Sequence, residues 1–232
     1  MTDGLSDQEL RALMDAGSSA LTFNAPLGQQ RAGELIASVA ARNPVHVVDF
    51  GCGRGALATA IAGSADAINV LGIDSIAEFV SVAAEGSLAR FEVADASTWS
   101  GPCDLAISIG SSHAFGGLSE TLERFADLGA AHVVIGDGFW STQPDEWCLD
   151  IFGAQPSSLD AVGSVAEAGG WVVDELGAST LEEWDAFEGG WRAGVRSVGS
   201  EAAHAFADER EAEYANYRGV LGFAWLLASR TV

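Results

Sequence analysis

Short apolar runs that end at glycine or aspartate alternate, through the middle of this chain, with segments whose apolar positions recur at helical spacing. Residues 45–50, 69–73, 90–94, 104–109 and 131–135 are rich in Val, Ile, Leu and Phe and predict strands. Helices are expected over 56–62, 76–84 and 118–128 between them. Strands alternating with helices imply parallel βαβ units, and runs apolar on both faces fit a sheet covered by helices on both sides. Upstream, Ser6 and Glu9 form a capping-box pattern that opens a helix to about Met14. Gly17, Asn24 and Pro26 mark residues 15–26 as a loop, and 27–41 read as a second helix. Downstream of Gly138 the rhythm breaks: residues 138–157 carry Phe139, Trp140, Trp147 and Phe152 among Gly and Pro. A helix over 158–168, a strand over 170–176, a helical stretch over 180–217 and a last strand over 220–228 complete the pattern. Trp184, Phe187 and Trp191, at i, i+3 and i+7, predict one buried stripe.

Composition narrows the class. At 232 residues and ~150 residues per domain, one open α/β sheet accounts for the length, and no repeat or linker divides it. Apolar residues make up 48% and charged residues 19%, which excludes wholesale disorder. No run approaches the ~18 apolar residues of a membrane span. The N-terminal stretch lacks a basic start followed by an apolar segment, so a cytoplasmic protein without a secretory leader is expected. Cys52, Cys103 and Cys148 are widely spaced and lack metal-ligand spacing. They predict small apolar fillers in a reduced setting and no metal. The formal net charge is −22, and all eleven cations are Arg. Such a field repels nucleic-acid backbones and anionic lipid, so neither is an expected partner. The acidity as a whole reads as solubility, or as life in a salty or acidic-proteome host. Oligomeric state leaves no mark on the sequence.

Chemistry gathers where the expected strands end. In open α/β sheets, ligands bind beyond the carboxyl ends of the strands, near the point where strand order reverses. The first strand runs into Asp49-Phe50-Gly51-Cys52-Gly53-Arg54-Gly55, whose glycines admit close approach of a ligand to backbone. The second ends at Asp74, where a carboxylate can accept from both hydroxyls of a ribose. The third ends at Asp95, placed to accept from an adenine amino group. Each glycine alone reads as a tight turn and each aspartate alone as a helix cap. In succession at three strand ends they describe a site for an adenosine compound.

The segments VVDFGCGRGAL, LGIDSI and FEVADAS resemble the first three motifs of class I S-adenosylmethionine-dependent methyltransferases, over about residues 44–137. The resemblance implies a Rossmann-like α/β fold with a mostly parallel seven-stranded sheet and helices on both faces. It also implies a division into an N-terminal helical cap (1–43), a cofactor-binding core (44–137) and an acceptor-side segment (138–232). It places Gly51 and Gly53 under the methionine part of S-adenosylmethionine, and Asp49 near its ammonium group. Asp74 would hold the ribose, Ser75 and Ile76 would flank the adenine, and Asp95 and Ala96 would read its edge. Backbone at Ile109 and Gly110 would also meet the ammonium. Gly51, Gly53 and Ala56 equally satisfy the dinucleotide fingerprint, so an NAD(P)-dependent oxidoreductase is the alternative, beside a non-catalytic methyltransferase-like binding protein. Asp49 weighs against a dinucleotide, since it would lie near a pyrophosphate.

The acceptor side carries fewer marks. The segment Ser108-Ile109-Gly110-Ser111-Ser112-His113-Ala114-Phe115-Gly116-Gly117 lacks the Pro-Pro-Tyr signature of enzymes that methylate amide or base nitrogens. It resembles one found in bacterial small-molecule methyltransferases, so the expected partner is a small-molecule acceptor. His113 is the candidate base or substrate-orienting group, because an imidazole accepts a proton near neutral pH. His113, Phe139, Trp140 and Trp147 are the expected pocket. Phe23 and Asn24 are candidates for a lid. Arg54 reads as a surface or carboxylate-paired arginine.

Overall fold

A strand that is apolar on both faces needs a layer above and a layer below it, and the central runs receive both, while the edge run at 90–93 stays largely exposed. The computed structural model describes residues 5–64 and 68–230. Residues 1–4, which open the stretch read for a leader, lie outside the described residues. The strands are β1 (His46–Phe50), β2 (Asn69–Asp74), β3 (Arg90–Val93), β4 (Leu105–Ile109), β5 (His132–Trp140), β6 (Val172–Ala178) and β7 (Leu221–Ser229). They form one seven-stranded sheet in the order β3-β2-β1-β4-β5-β7-β6. Neighbours from β3 to β5 pair in parallel, and β7 lies antiparallel between β5 and β6. The mostly parallel α/β sheet expected from the sequence is therefore present. Chain order reverses between β1 and β4, which opens a crevice at their carboxyl ends.

The helices are α1 (Asp7–Ser19), α2 (Gln29–Ala41), α3 (Ala56–Ala62), α4 (Ala77–Ala83), α5 (Leu118–Asp127), α6 (Glu146–Phe152), α7 (Leu159–Ala168), α8 (Leu181–Arg196) and α9 (Glu201–Tyr217). One core joins Leu35 and Val39 of α2 and Ile61 of α3 to Val47, Leu105 and Ile107 of the sheet, with Trp184 and Tyr217 at its far end. The other packs Leu122 and Phe125 of α5 and Val162 of α7 against Phe50, Ile135 and Leu226. Phe50 is fully buried; its ring centroid lies 4.9 Å from Phe125 and 5.5 Å from Trp99. Each such side chain contributes ~1.5–3 kcal/mol by leaving water.

Three expectations change. First, α1 continues to Ser19, past the end expected near Met14. Gly17 does not break it, because its missing side chain is what lets α1 lie on α8: a Cβ there would fall 2.4 Å from the Trp191 ring. Second, β5 runs to Trp140 rather than stopping at 135, since β7 pairs with it through nine positions, from His132↔Ser229 to Trp140↔Leu221. Third, residues 180–217 form two helices. Gly199 turns the chain at φ +78°, and Ser200 caps α9 by accepting from the Ala203 N–H at 3.1 Å. The Trp184–Phe187–Trp191 stripe is buried or half-buried as expected, Trp184 and Phe187 on the sheet side and Trp191 under α1.

The two late helices are pinned through one carboxylate. Glu188 of α8 is 1% exposed. It accepts from Arg210 Nε and a terminal guanidinium nitrogen of the same residue at 2.8 Å each, and from the Tyr217 hydroxyl at 2.7 Å.

The α1–α8 seam yields a test. A Cβ on Gly194 would stand 2.4 Å from the Ala16 carbonyl oxygen, a backbone atom that cannot swing aside. Gly194→Ala is expected to lower stability by ~1–3 kcal/mol, the usual cost of overpacking, despite its better helix propensity. Denaturant midpoints measure this; a stabilised variant would mean the seam is not packed as described.

Candidate functional site

The turn after β1 is shaped by a lack of space. Gly51 has φ +73°, and a Cβ on it would lie 2.5 Å from the Ser111 Cβ. Its N–H and that of Cys52 both donate to the Ile73 carbonyl, at 2.8 and 3.0 Å, so the chain folds over the end of β2. The Ser111 hydroxyl donates to the Phe50 carbonyl at 2.6 Å and hydrogen-bonds the Ser108 hydroxyl at 2.8 Å, tying the ends of β4 and β1 together. Gly53, at φ +55°, has open space where a Cβ would stand.

The aspartates at the next two strand ends are held in place. Asp74 accepts from the Gly53 N–H through one oxygen and from the Ile76 N–H through the other, both at 2.9 Å. Each oxygen keeps a further lone pair. Asp95 accepts from the Ser97 hydroxyl at 2.7 Å and the Ser97 N–H at 2.9 Å, through the same oxygen. Those bonds hold its carboxyl below the usual range and leave the other oxygen unused.

Asp49 differs from both. It is 3% exposed, and no donor among the described residues reaches its carboxylate. Burial, and secondarily the charge of Asp74, push its carboxyl up to about 7. A buried acid with open lone pairs on a cavity wall is complementary to a cationic group.

These groups share one crevice of about 330 Å³. Asp49, Gly51, Gly53, Asp74, Ser75, Ile76, Asp95, Ala96, Ile109, Gly110 and His113 all line it. Phe23 and Asn24 line it from above, with Ser18, Leu21 and Thr22, which the sequence did not single out. Arg54 pairs with Asp15 of α1, and its guanidinium carbon lies 5.5 Å from the Phe79 ring centroid. It thus links the N-terminal cover to α4.

A second cavity, about 560 Å³, adjoins the first, and Gly110 and His113 belong to the walls of both. Ser112, Glu120, Asp137, Gln155 and Pro156 lie on its other sides. Phe139, Trp140 and Trp147, expected to form the pocket, line neither space. Phe139 and Trp140 belong to β5 and are 6% exposed. The Phe139 ring occupies the place of a Cβ on Gly222, and Trp140 and Trp147 pack around Phe152 at 6.4 and 6.3 Å. Long antiparallel pairing turned Phe139 and Trp140 into core, and Trp147, in α6, packs partly buried against the cluster that holds Trp140. Asp137 is not among the candidates from the sequence; Gly136-Asp137-Gly138 follows the apolar run 131–135 as Asp74 follows its own, and the structure places Asp137 within β5. Among the described residues, no group of three or more His, Cys, Asp or Glu is placed to hold a metal ion.

No protein-family model matches the chain, and no curated protein matches it. Solved structures do. A SAM-dependent methyltransferase from Geobacter sulfurreducens, in complex with S-adenosyl-L-homocysteine, is similar with a TM-score of 0.80 at 21% identity, over 95% of this chain and 98% of that one. A SAM-dependent methyltransferase from Thiobacillus denitrificans, in complex with the same molecule, gives 0.77 at 22%, over 94% and 97%. The cyclase SpnF gives 0.69 at 18%, over 98% of both chains. The chain has the class I methyltransferase fold, as the sequence resemblance implied.

Asp49 supplies a test that needs no ligand. Its folded-state pKa lies above its unfolded value, so its ionisation makes the protein progressively less stable as pH rises from about 4 to about 7. Asp49→Asn removes that loss. Its stability gain over the parent is expected to be greater at pH 8 than at pH 5.5, by on the order of 1–2 kcal/mol. Urea titrations at the two pH values measure it; a gain independent of pH would show that Asp49 is not desolvated.

Proposed function

We propose that this protein transfers a methyl group from S-adenosylmethionine to a small organic acceptor. The observation that carries it is the meeting, in one crevice, of a glycine turn, a buried acid lacking a donor, and two further aspartates from consecutive strand ends. Asp49 would face the ammonium, Asp74 the ribose hydroxyls and Asp95 the adenine amino group. Gly53 leaves room for the methionine part, and Ile109 and Gly110 would present backbone to the same end. When bound, the cofactor supplies a methyl carbon on a sulfonium; the acceptor's lone pair bonds that carbon as the carbon–sulfur pair returns to sulfur, leaving a neutral thioether.

The remaining work belongs to the chain. Residues 18–25 cover the crevice and exclude water, and His113 stands between the crevice and the second cavity, where an acceptor would approach. There it would take a proton from an acceptor that must lose one, or orient the acceptor. A dinucleotide fits the crevice less well: its pyrophosphate would meet Asp49, and the arginine lining the crevice, Arg54, is already paired with Asp15.

Calorimetry tests this directly. S-adenosylmethionine and S-adenosylhomocysteine are expected to bind and NAD(P) is not; the reverse result would overturn the proposal. Asp74→Ala is expected to weaken S-adenosylhomocysteine by ~1–3 kcal/mol, roughly five- to 150-fold in Kd. His113→Ala is expected to lower turnover at least tenfold with cofactor affinity nearly unchanged. Equal losses in both would make His113 a structural residue.

A further inference from the structure

We propose that the cavity beyond His113 binds its acceptor as an amine, with the Asp137 carboxylate as counter-charge to the nitrogen. The assignment of an amine rests on the methyl-transfer reading above; the preference for a cation rests on the cavity itself.

The polar groups on this wall point to a ligand rich in donors. Asp137 accepts from the Ser112 hydroxyl and, at 2.7 Å, from the Gly138 N–H, one on each oxygen, so it is fixed while each oxygen keeps a lone pair. Ser112 is 6% exposed and spends its only proton on Asp137, so it too offers lone pairs alone. The Gln155 amide nitrogen donates to the Phe152 carbonyl at 2.6 Å, which leaves its amide oxygen as an acceptor. Glu120, exposed in the first turn of α5, adds a second carboxylate at the rim. No arginine lines the cavity, and the chain has no lysine. A carboxylate or phosphate there would meet two acids and no guanidinium, its donors being the first-turn N–H groups of α5 and the Ser119 hydroxyl. An ammonium brings three N–H donors and a positive charge to the acceptors of Asp137, Ser112 and Gln155.

The half-buried Asp137 agrees with this. Burial pushes its carboxyl up even though Ser112, Gly138 and nearby His113 all act to lower it. An uncompensated carboxylate is costly to desolvate, and a cation beside it offsets that cost.

The chemistry balances. The acceptor enters as R–NH3+ and must shed one proton before its nitrogen has a lone pair. His113, on the wall shared with the crevice, is the group placed to take that proton and pass it to solvent. The product leaves as R–NH2–CH3+, carrying the positive charge that the sulfonium gives up.

The test uses the full chain with S-adenosylhomocysteine bound. Phenethylamine and tyramine are titrated calorimetrically against 3-phenylpropionate and phenol, and the same four are then offered with S-adenosylmethionine, products being read by mass. The amines are expected to bind at least tenfold more tightly than the acid and to gain ~14 mass units, a methyl in place of one hydrogen on nitrogen. Asp137→Asn is expected to weaken amine binding at least thirtyfold while S-adenosylhomocysteine affinity stays within twofold. Glu120→Gln, at the exposed rim, is expected to raise the amine KM several-fold without lowering kcat, and it keeps the question open to refutation should Asp137→Asn fail to fold. If S-adenosylhomocysteine binds but the acid or phenol is preferred, or no amine binds, the amine assignment is overturned and methyl transfer stands. If S-adenosylhomocysteine does not bind, both fall.

Discussion

Two turns that leave adjacent parallel strands pass each other closer than a methyl group permits, and the rest of the site depends on that passage. Gly51 follows β1 and Ser111 follows β4, and a side chain on Gly51 would overlap Ser111. Sheet order reverses here, so the segments that follow depart in opposite directions and leave a crevice. The Ser111 hydroxyl locks the gap by bonding the Phe50 carbonyl. With the gap locked, Asp49 lies sealed beneath the turn and Gly53 is carried out over open space. The Gly53 N–H then reaches Asp74, so the glycine turn and the neighbouring strand end form one hydrogen-bonded unit. Cofactor recognition and strand packing are therefore not separable at this point: the atoms that close the turn also aim the acids.

The charge of −22 has a structural counterpart in how the arginines are spent. Arg31 pairs with Glu183, Arg42 with Asp174, Arg196 with Asp208 and Glu211, Arg210 with Glu188, and Arg218 with Asp185. The first two join elements far apart in sequence, and the others tie α8 to α9 and to Arg218 just after it. Exposed pairs of this kind contribute little each, ~0–1 kcal/mol; the Glu188 group, being buried, is costly to break. What the pairing leaves behind is an acceptor cavity without a guanidinium. Composition alone showed only a repulsive field, in which all the acids looked like solubilising surface. The structure separates them into exposed acids and a few wholly or partly buried ones that line cavities, Asp49 and Asp137 among them.

The half of the site that binds the cofactor was legible because its logic is local. A strand's end is marked by its own residues, and Asp49, Asp74 and Asp95 each sit one step from an apolar run. The βα alternation then fixes that these ends share a rim. The acceptor half was not legible in the same way, because its decisive contacts are long-range. The length of β5 is set by β7, about ninety residues later in sequence. Once β5 is nine residues long, Phe139 and Trp140 become sheet residues, Phe139 filling the space over Gly222 and Trp140 packing on Phe152, and both become core. Gly17 misled for the same reason. A glycine inside a helix reads as a stop unless the partner that needs the missing side chain is known, and that partner is Trp191.

Fold alone does not choose the reaction. The cyclase SpnF shares this architecture across nearly its whole length, so the arrangement of strand ends is compatible with more than one chemistry. The choice must lie in groups that the shared fold does not dictate. In this chain those groups sit on two segments, the loop after β4 and β5, held together by the Gly110 N–H on the Gly136 carbonyl and by the bond from Ser112 to Asp137. His113 follows Ser112 directly, so whatever fixes Ser112 also fixes the imidazole between the two spaces. A ligand that draws on Asp137 acts on the same bond. On the amine reading, the carboxylate that would face the acceptor and the imidazole that would take its proton are linked through this hydrogen bond, which lies on the side of the sheet where pairing with β7 decides the geometry.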